Sequence, residues 1–318
     1  MKKKILICGV TGFLGRNIAE FYARKDDYEV FGTYHNSKPF ENENIKFLKA
    51  DLTNTVDVNN VIAGKDILIQ AAATTSGAKD IVSKPYIHVT DNAVMNALLF
   101  RSALANNISH FIFPSCTIMY ESGDMPVKET SLDLNKEIYP KYFGAAWTKI
   151  YNEKMCEFYS RIGETKYSVI RHSNIYGPYD KFDLEKSHVF GATVTKVMNA
   201  KDGGEIVVWG EGNEKRDLLY VDDMVNFIDL CLKKQTTKYE IFNAGCGKAF
   251  SVKYIVGKII SASGKKISIK HDLSKPSINT NLCLDTEKAK HFINWQPSTT
   301  LDDGIIKTIK WYRENILD

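Results

Sequence analysis

Apolar residues recur at two spacings that take turns along the first half of this chain. Lys4 to Cys8 is a short apolar run, and beyond a glycine-rich turn Arg16 to Arg24 carries Ile18, Phe21 and Tyr22 at helical intervals. Tyr28 to Tyr34, Ile45 to Lys49 and Ile67 to Gln70 read as further strands. Asp91 to Asn106 returns to helical spacing, and His110 to Phe113 leads through PSCTIMY as another buried strand. Lys149 to Arg161 is a helix, and Tyr167 to Ile170 the strand after it. Strands that alternate with helices in this way predict an α/β fold with a doubly wound parallel sheet and right-handed crossovers.

Beyond Arg171 the regularity is lost. A turn-rich run, SNIYGPYDKFDLEKS, precedes a helix from His188 and a strand and turn in IVVWGEGNEKRD. Loops of this kind, at the carboxyl ends of parallel strands, are where such sheets hold substrates. The expected division is a nucleotide-binding domain over residues 1–170, with a returning segment near 220–250, and a smaller carboxyl-terminal substrate lobe over 171–318. No internal repeat or low-complexity linker separates the two, so they are expected to interdigitate.

Composition narrows the class. Of 318 residues, 44% are hydrophobic and 25% charged, the balance of a globular protein with a sizeable core. The net charge of +4 is spread along the chain, which gives nucleic-acid binding no support. Six cysteines (Cys8, Cys116, Cys156, Cys231, Cys246, Cys283) form no CxxC pair and suit a reducing compartment. The apolar stretch Ile5 to Val10 is too short for a signal core, and no segment reaches the ~18 apolar residues of a membrane span. The expectation is a cytoplasmic protein without membrane contact or a metal site.

Gly9, Gly12 and Gly15, interleaved with Thr11, Phe13 and Leu14, sit between the first strand and the first helix. There the backbone must turn tightly, approach a pyrophosphate and let helix pack on sheet, and glycine meets all three demands. The helix start adds unpaired N–H groups and a positive dipole end. This is the fingerprint of a dinucleotide-binding Rossmann sheet. At the end of the second strand no acid follows Thr33; His35, Asn36 and Lys38 suit a 2′-phosphate, which favours NADP(H) over NAD(H). Asp51, followed by Leu52, is placed to accept from an adenine amino group or to cap a helix. Ala71, Ala72 and Ala73 form a small-residue floor under the cofactor, or simply let elements pack closely.

With GVTGFLG, QAAATTSG, SCTIMY, Lys149 ahead of a helix, RHSNIYGP, KSHVFGA, VVWGEGNEKRDLLYVDDM and SKPSINTNLCLD on the page, the chain resembles the extended short-chain dehydrogenases. Among them it is similar to the GDP-L-fucose synthase group, which epimerises and reduces GDP-4-keto-6-deoxymannose with NADPH. The resemblance implies that Lys149 holds the nicotinamide ribose, together with His172 on the cofactor side, and that Cys116, or Ser115 or Thr117 in a shifted register, bonds the substrate oxygen. It makes His188 the acid of an epimerisation, and it places Asn174, His188, Val189, Trp209 and Arg216 against the nucleotide-sugar. A guanidinium suits a diphosphate. The group's cysteine base falls at Ile118 and a second arginine at Asn281. No Asp-Glu pair follows Cys116, which argues against a 4,6-dehydratase. Extended family members pair two helices across a homodimer, here Asp91 to Asn106 and Lys149 to Arg161.

The largest departure lies four residues before Lys149, where the resemblance calls for a tyrosine proton donor and the chain has Ala145. A methyl group donates no proton. Either a tyrosine has been replaced and the chain is inactive, or the proton comes from Tyr142, Tyr120 or water. The expected function is an NADP(H)-dependent epimerase/reductase of 4-keto nucleotide-sugars. The alternatives are a 4-epimerase that retains NAD and a noncatalytic NADP(H)-responsive binding protein.

Overall fold

In β1 (Lys3–Cys8) Ile5 and Ile7 join one apolar cluster while Leu6 and Cys8 join another, because successive side chains of a strand point to opposite faces. A strand apolar on both sides must be covered on both sides, which is the condition of a parallel sheet. The computed structural model describes residues 2–74, 84–184, 187–274 and 280–317. Thr75, Ser76 and Gly77 of QAAATTSG, Lys186 of KSHVFGA and residues 275–279 of SKPSINTNLCLD lie outside the described residues.

The chain runs from β1 through α1 (Phe13–Ala23), β2 (Tyr28–Tyr34), β3 (Ile45–Lys49), α2 (Thr55–Ile62) and β4 (Ile67–Gln70) to α3 (Thr90–Ala105) and β5 (His110–Pro114). After a long loop follow α4 (Phe143–Ile162), β6 (Lys166–His172), β7 (Asn174–Tyr176), α5 (Val189–Asn199), β8 (Glu205–Trp209) and β9 (Lys215–Tyr220). The remainder is α6 (Val221–Lys234), β10 (Tyr239–Ala244), β11 (Ala249–Ser251), α7 (Val252–Ser263), β12 (Ser268–Asp272), α8 (Glu287–Ile293) and α9 (Leu301–Tyr312). Seven parallel strands form the main sheet in the order β10-β6-β5-β4-β1-β2-β3. The strand order reverses between β1 and β4, the crevice where such sheets bind ligands.

One face is covered by α1, α6 and α8, with Tyr22, Phe227, Ile293 and Trp295 fully buried. The other is covered by α2, α3 and α4, with Leu99, Phe100 and Cys156 against Phe111 and Val169. A third apolar cluster joins α5, α7 and α9 with β8 and β9 at the carboxyl-terminal side. No helix among the described residues is long and apolar enough to cross a membrane.

Several sequence-based boundaries move. α1 starts at Phe13 instead of Arg16, as Gly12 ends the turn and caps the helix. The strand from His110 ends at Pro114, and Ser115 to Tyr120 leaves the sheet as irregular chain. α4 begins at Phe143, six residues before Lys149, so that Ala145 lies inside its first turn. α2, capped by Asn54 whose side chain accepts from the N–H groups of Val56 and Asp57, had no strong apolar period to reveal it.

Candidate functional site

The glycine turn leaves β1 at the carboxyl edge of the sheet. Gly9 has φ +78°, a left-handed conformation, and a Cβ there would stand 2.7 Å from Ala72 Cα. Gly15 faces the carbonyl oxygen of Gly9, which would lie 2.1 Å from a Cβ. Thr33 holds the turn from β2: its Oγ1 accepts from Gly9 N–H at 3.0 Å and its carbonyl from Val10 N–H at 3.0 Å. Gly32, mid-strand in β2, makes the room that Val10 fills; a Cβ would meet Val10 Cγ1 at 2.3 Å. Gly12 caps α1 without a side chain over the helix head, so the first-turn amides, with no acceptor inside the helix, face outward. Thr11, Phe13 and Leu14 line this head, Leu14 also packing on the core. An open helix head above a turn with no room for side chains fits a dinucleotide pyrophosphate.

The other cofactor-side residues divide. His35, Asn36 and Lys38 are exposed beyond β2. Asp51 is not the cap of α2, a place Asn54 takes; its Oδ1 accepts from Thr53 N–H at 2.9 Å and Thr53 Oγ1 at 2.6 Å, bonds that hold its carboxyl below the usual range. Leu52 is buried in the apolar cluster under α2 and α3. Ala71 N–H donates to Cys8 carbonyl at 3.1 Å and Ala72 abuts Gly9, so these two alanines serve close packing; Ala73 is exposed.

Past β5, three neighbouring side chains take different roles. Ser115 is fully buried and donates to Glu153 Oε1 at 2.6 Å, which removes it from the site. Cys116 and Thr117 are only part-buried. Desolvation raises the Cys116 thiol, partly offset by the Lys149 ammonium. Lys149 donates to Pro114 carbonyl at 3.0 Å, with its ammonium 4.9 Å from the Phe113 ring centroid. Burial pushes its pKa down. Ala145 lies on the same helix, one turn earlier.

A cleft of about 570 Å³, within the range of small-molecule sites, opens at Thr117, while Cys116, Ala145 and Lys149 are not among its lining residues. Its walls come from residues 117–122, 137–140, Tyr142, Asn174, Arg216 and 280–282. Arg216 is half-buried, with Nη1 donating to the carbonyl groups of Lys215 and Thr280. Desolvation depresses its guanidinium. Asp217 beside it faces inward, where its carboxylate accepts from Cys246 N–H at 2.7 Å and Leu284 N–H at 3.1 Å. Asn281 is a seam: its N–H donates to Ser122 Oγ at 2.7 Å, and its Oδ1 accepts from Lys215 N–H at 2.9 Å.

Val189 and Trp209 are not among the residues lining this cleft. Both are exposed, at the head of α5 and the end of β8. The placement of Trp209 follows from β8 pairing with β12 in a separate two-stranded sheet. His188, likewise not among the residues lining the cleft, is exposed at the head of α5, yet desolvation by the surrounding chain, with the Lys181 charge adding, lowers its pKa. His172 Nδ1 bonds Ser173 carbonyl at 2.8 Å; burial first, then the Lys149 and His188 charges, bring its imidazole to about 4. Lys149, His172 and His188 thus share one neighbourhood. No group of three or more His, Cys, Asp or Glu among the described residues is placed to hold a metal.

Sequence reasoning missed the polar network under the cleft. Arg171 donates to Glu153 from Nε at 3.1 and 3.2 Å and from Nη2 at 2.7 Å, and from Nη1 to Tyr120 Oη at 2.9 Å. Tyr120 donates in turn to Asn243 Oδ1 at 2.8 Å. Both charges of the Arg171–Glu153 pair are buried, the setting in which every lone pair must be used. Helix α4, strands β6 and β10 and the irregular chain after β5 meet in this network, and only the helical period of α4, which points Glu153 inward with Ile150 and Cys156, offered a local signal.

Comparison with known proteins follows the same outline. The family described as NAD dependent epimerase/dehydratase matches residues 5–245. The chain is 27% identical to GDP-L-colitose synthase of Yersinia pseudotuberculosis over 97% of each chain. It is 24% identical to GDP-L-fucose synthase of Escherichia coli K12, covering 99% of this chain and 98% of the relative. Among solved structures, UDP-glucose 4-epimerase of Thermotoga maritima with UDP-glucose superposes with a TM-score of 0.86 at 23% identity, over 98% of this chain and 99% of that one.

Proposed function

The chain is an enzyme of the NAD dependent epimerase/dehydratase family, and from that premise we propose that it is an NADP(H)-dependent epimerase/reductase of a 4-keto nucleotide-sugar. The observation that carries the reading is the meeting of Thr117, Asn174 and Arg216 in one cleft at the carboxyl edge of the sheet. Arg216 offers a cation to a diphosphate. Thr117 and Asn174 offer a hydroxyl and an amide to a sugar, and the hydroxyl is a better donor than the Cys116 thiol. The relatives named for GDP-sugar products support the same substrate class.

The dinucleotide would be held at its pyrophosphate by the amides of the glycine turn and α1, at its adenine by Asp51 and at its ribose by Lys149. His35, Asn36 and Lys38, with no acid among them, favour a 2′-phosphate and so NADP(H). When bound, the reduced coenzyme supplies a hydride to the keto carbon. Thr117, with Cys116 beside it, stabilises charge on the keto oxygen. Burial lowers the His188 imidazole below its ordinary value, and an imidazole suits proton exchange at a sugar carbon during epimerisation.

α4 packs on α3 and leaves Phe143, Trp147, Tyr151, Phe158 and Ile162 exposed along its length, an apolar face that a second copy of the chain would cover in a homodimer. Six free thiols suit the cytoplasm. The test is oxidation of NADPH with GDP-4-keto-6-deoxymannose and related 4-keto nucleotide-sugars, by this chain and by Ala145→Tyr. Turnover is expected; none in either protein overturns the reading. Coenzyme that survives purification while added NADPH stays unconsumed would select a 4-epimerase with retained NAD.

A further inference from the structure

The donor expected on α4 is absent at Ala145, yet a phenol stands one turn earlier. Tyr142 caps α4 and lies three residues before Ala145 and seven before Lys149, spacings that keep all three on one face of the helix. Three residues rise only about 4.5 Å along a helix axis, within the reach of a tyrosine side chain. Its ring lines the cleft with Thr117, Asn174 and Arg216. Of the other two phenols in the wall, Tyr120 is taken, accepting from Arg171 and donating to Asn243, and Tyr139 is exposed and precedes α4. Tyr142 is held from below by its own N–H, which donates to Tyr139 carbonyl at 2.8 Å, and from the side by the Tyr139 ring at 5.6 Å between centroids.

We propose that Tyr142 is the proton donor of this chain, its phenol facing the keto oxygen of a sugar held by Thr117, Asn174 and Arg216. The inference rests on the reductase reading above and names the group that reading lacks. As the keto carbon gains the hydride pair, the C=O π pair moves to oxygen, and that oxygen takes the Tyr142 proton. The phenolate left behind regains a proton from solvent through the open cleft. Desolvation raises the Tyr142 phenol, and the Arg216 charge pulls it back, so in this chain a guanidinium from β9 serves as the phenol's neighbouring cation.

The test compares Tyr142→Phe with the unaltered protein in calorimetric binding of a 4-keto nucleotide-sugar and of its 4-deoxy counterpart, without coenzyme. Loss of one hydrogen bond of about 1 kcal/mol weakens the keto ligand about fivefold and leaves the deoxy ligand unchanged. Turnover with NADPH should fall by about 10²- to 10⁴-fold in the same variant, the usual worth of a general acid, while NADPH affinity holds within twofold. Binding discrimination without turnover in the unaltered protein would support the placement of Tyr142 and count against the reductase reading alone. If both ligands respond equally to Tyr142→Phe, if neither binds the unaltered protein, or if turnover survives the substitution, the proposal is overturned.

Discussion

The glycine turn proposed to meet the dinucleotide and the cleft wall proposed to meet the sugar differ in how far apart their parts lie along the chain. Gly9, Gly12 and Gly15 fall within seven residues; Gly12 and Gly15 both abut the Gly9 carbonyl and Gly9 takes a left-handed φ, demands set inside the turn, with only the Gly9 contact to Ala72 reaching further. The wall joins residues 117–122 to 137–140 with Tyr142, Asn174, Arg216 and 280–282, tied by bonds such as Gly123 N–H to Asn281 carbonyl at 2.8 Å and Val127 N–H to Cys283 carbonyl at 2.9 Å. Local geometry is written locally. A surface assembled from five segments is written only in the fold that brings them together.

The comparison is sharpened most by breaking the network under the wall. Arg171→Met should strip Glu153 of its charged partner and Tyr120 of a donor and cost about 3 to 5 kcal/mol in urea unfolding, because the remaining carboxylate is buried with only the Ser115 hydroxyl bonded to it. A loss below about 1 kcal/mol would mean that the wall does not depend on that pair. On the turn side, Gly15→Ala forces a methyl against Gly9 carbonyl, an overpacking worth about 1 to 3 kcal/mol, and should also abolish coenzyme binding by calorimetry. Unchanged binding would show that the turn yields more readily than its geometry implies.

A smaller effect is expected from pH. Burial holds His110 at about 3 and His172 at about 4 in the folded chain, against about 6.5 for an imidazole in the unfolded one. Between those values only the unfolded chain takes up the protons, so stability is complete above about pH 6.5 and declines as pH falls toward 4. Thermal midpoints across that interval should drop, and His110→Gln should flatten part of the slope. His110 donates through Nε2 to Ser168 Oγ at 2.7 Å, since Ser168 itself donates to Gln235 at 2.5 Å. Smallest of all, Lys38→Ala should weaken NADPH severalfold with little effect on NADH, as an exposed charge contributes up to about 1 kcal/mol.

The fold was largely legible because β1, β4 and β5 carry continuous apolar runs and α1 follows the first of them with apolar residues at helical spacing. What escaped did so for definite reasons. Asp51 and Asn54 are both good capping residues, and only the helix start decides for Asn54. Ser115 and Thr117 offer the same hydroxyl one residue either side of Cys116, and the buried Glu153 decides between them by claiming Ser115. Trp209 and Val189 matched a family pattern, yet the edge pairing of β8 with β12 and the entry to α5 leave both outside the described cleft. Tyr142 was one of three candidate proton sources until the hydrogen bonds of Tyr120 set that residue aside.

Calorimetric titration of the unaltered chain with NADPH and NADH tests most directly whether the glycine turn holds a nicotinamide dinucleotide. The account predicts one site per chain and tighter binding of NADPH. Absence of heat with both coenzymes would contradict it.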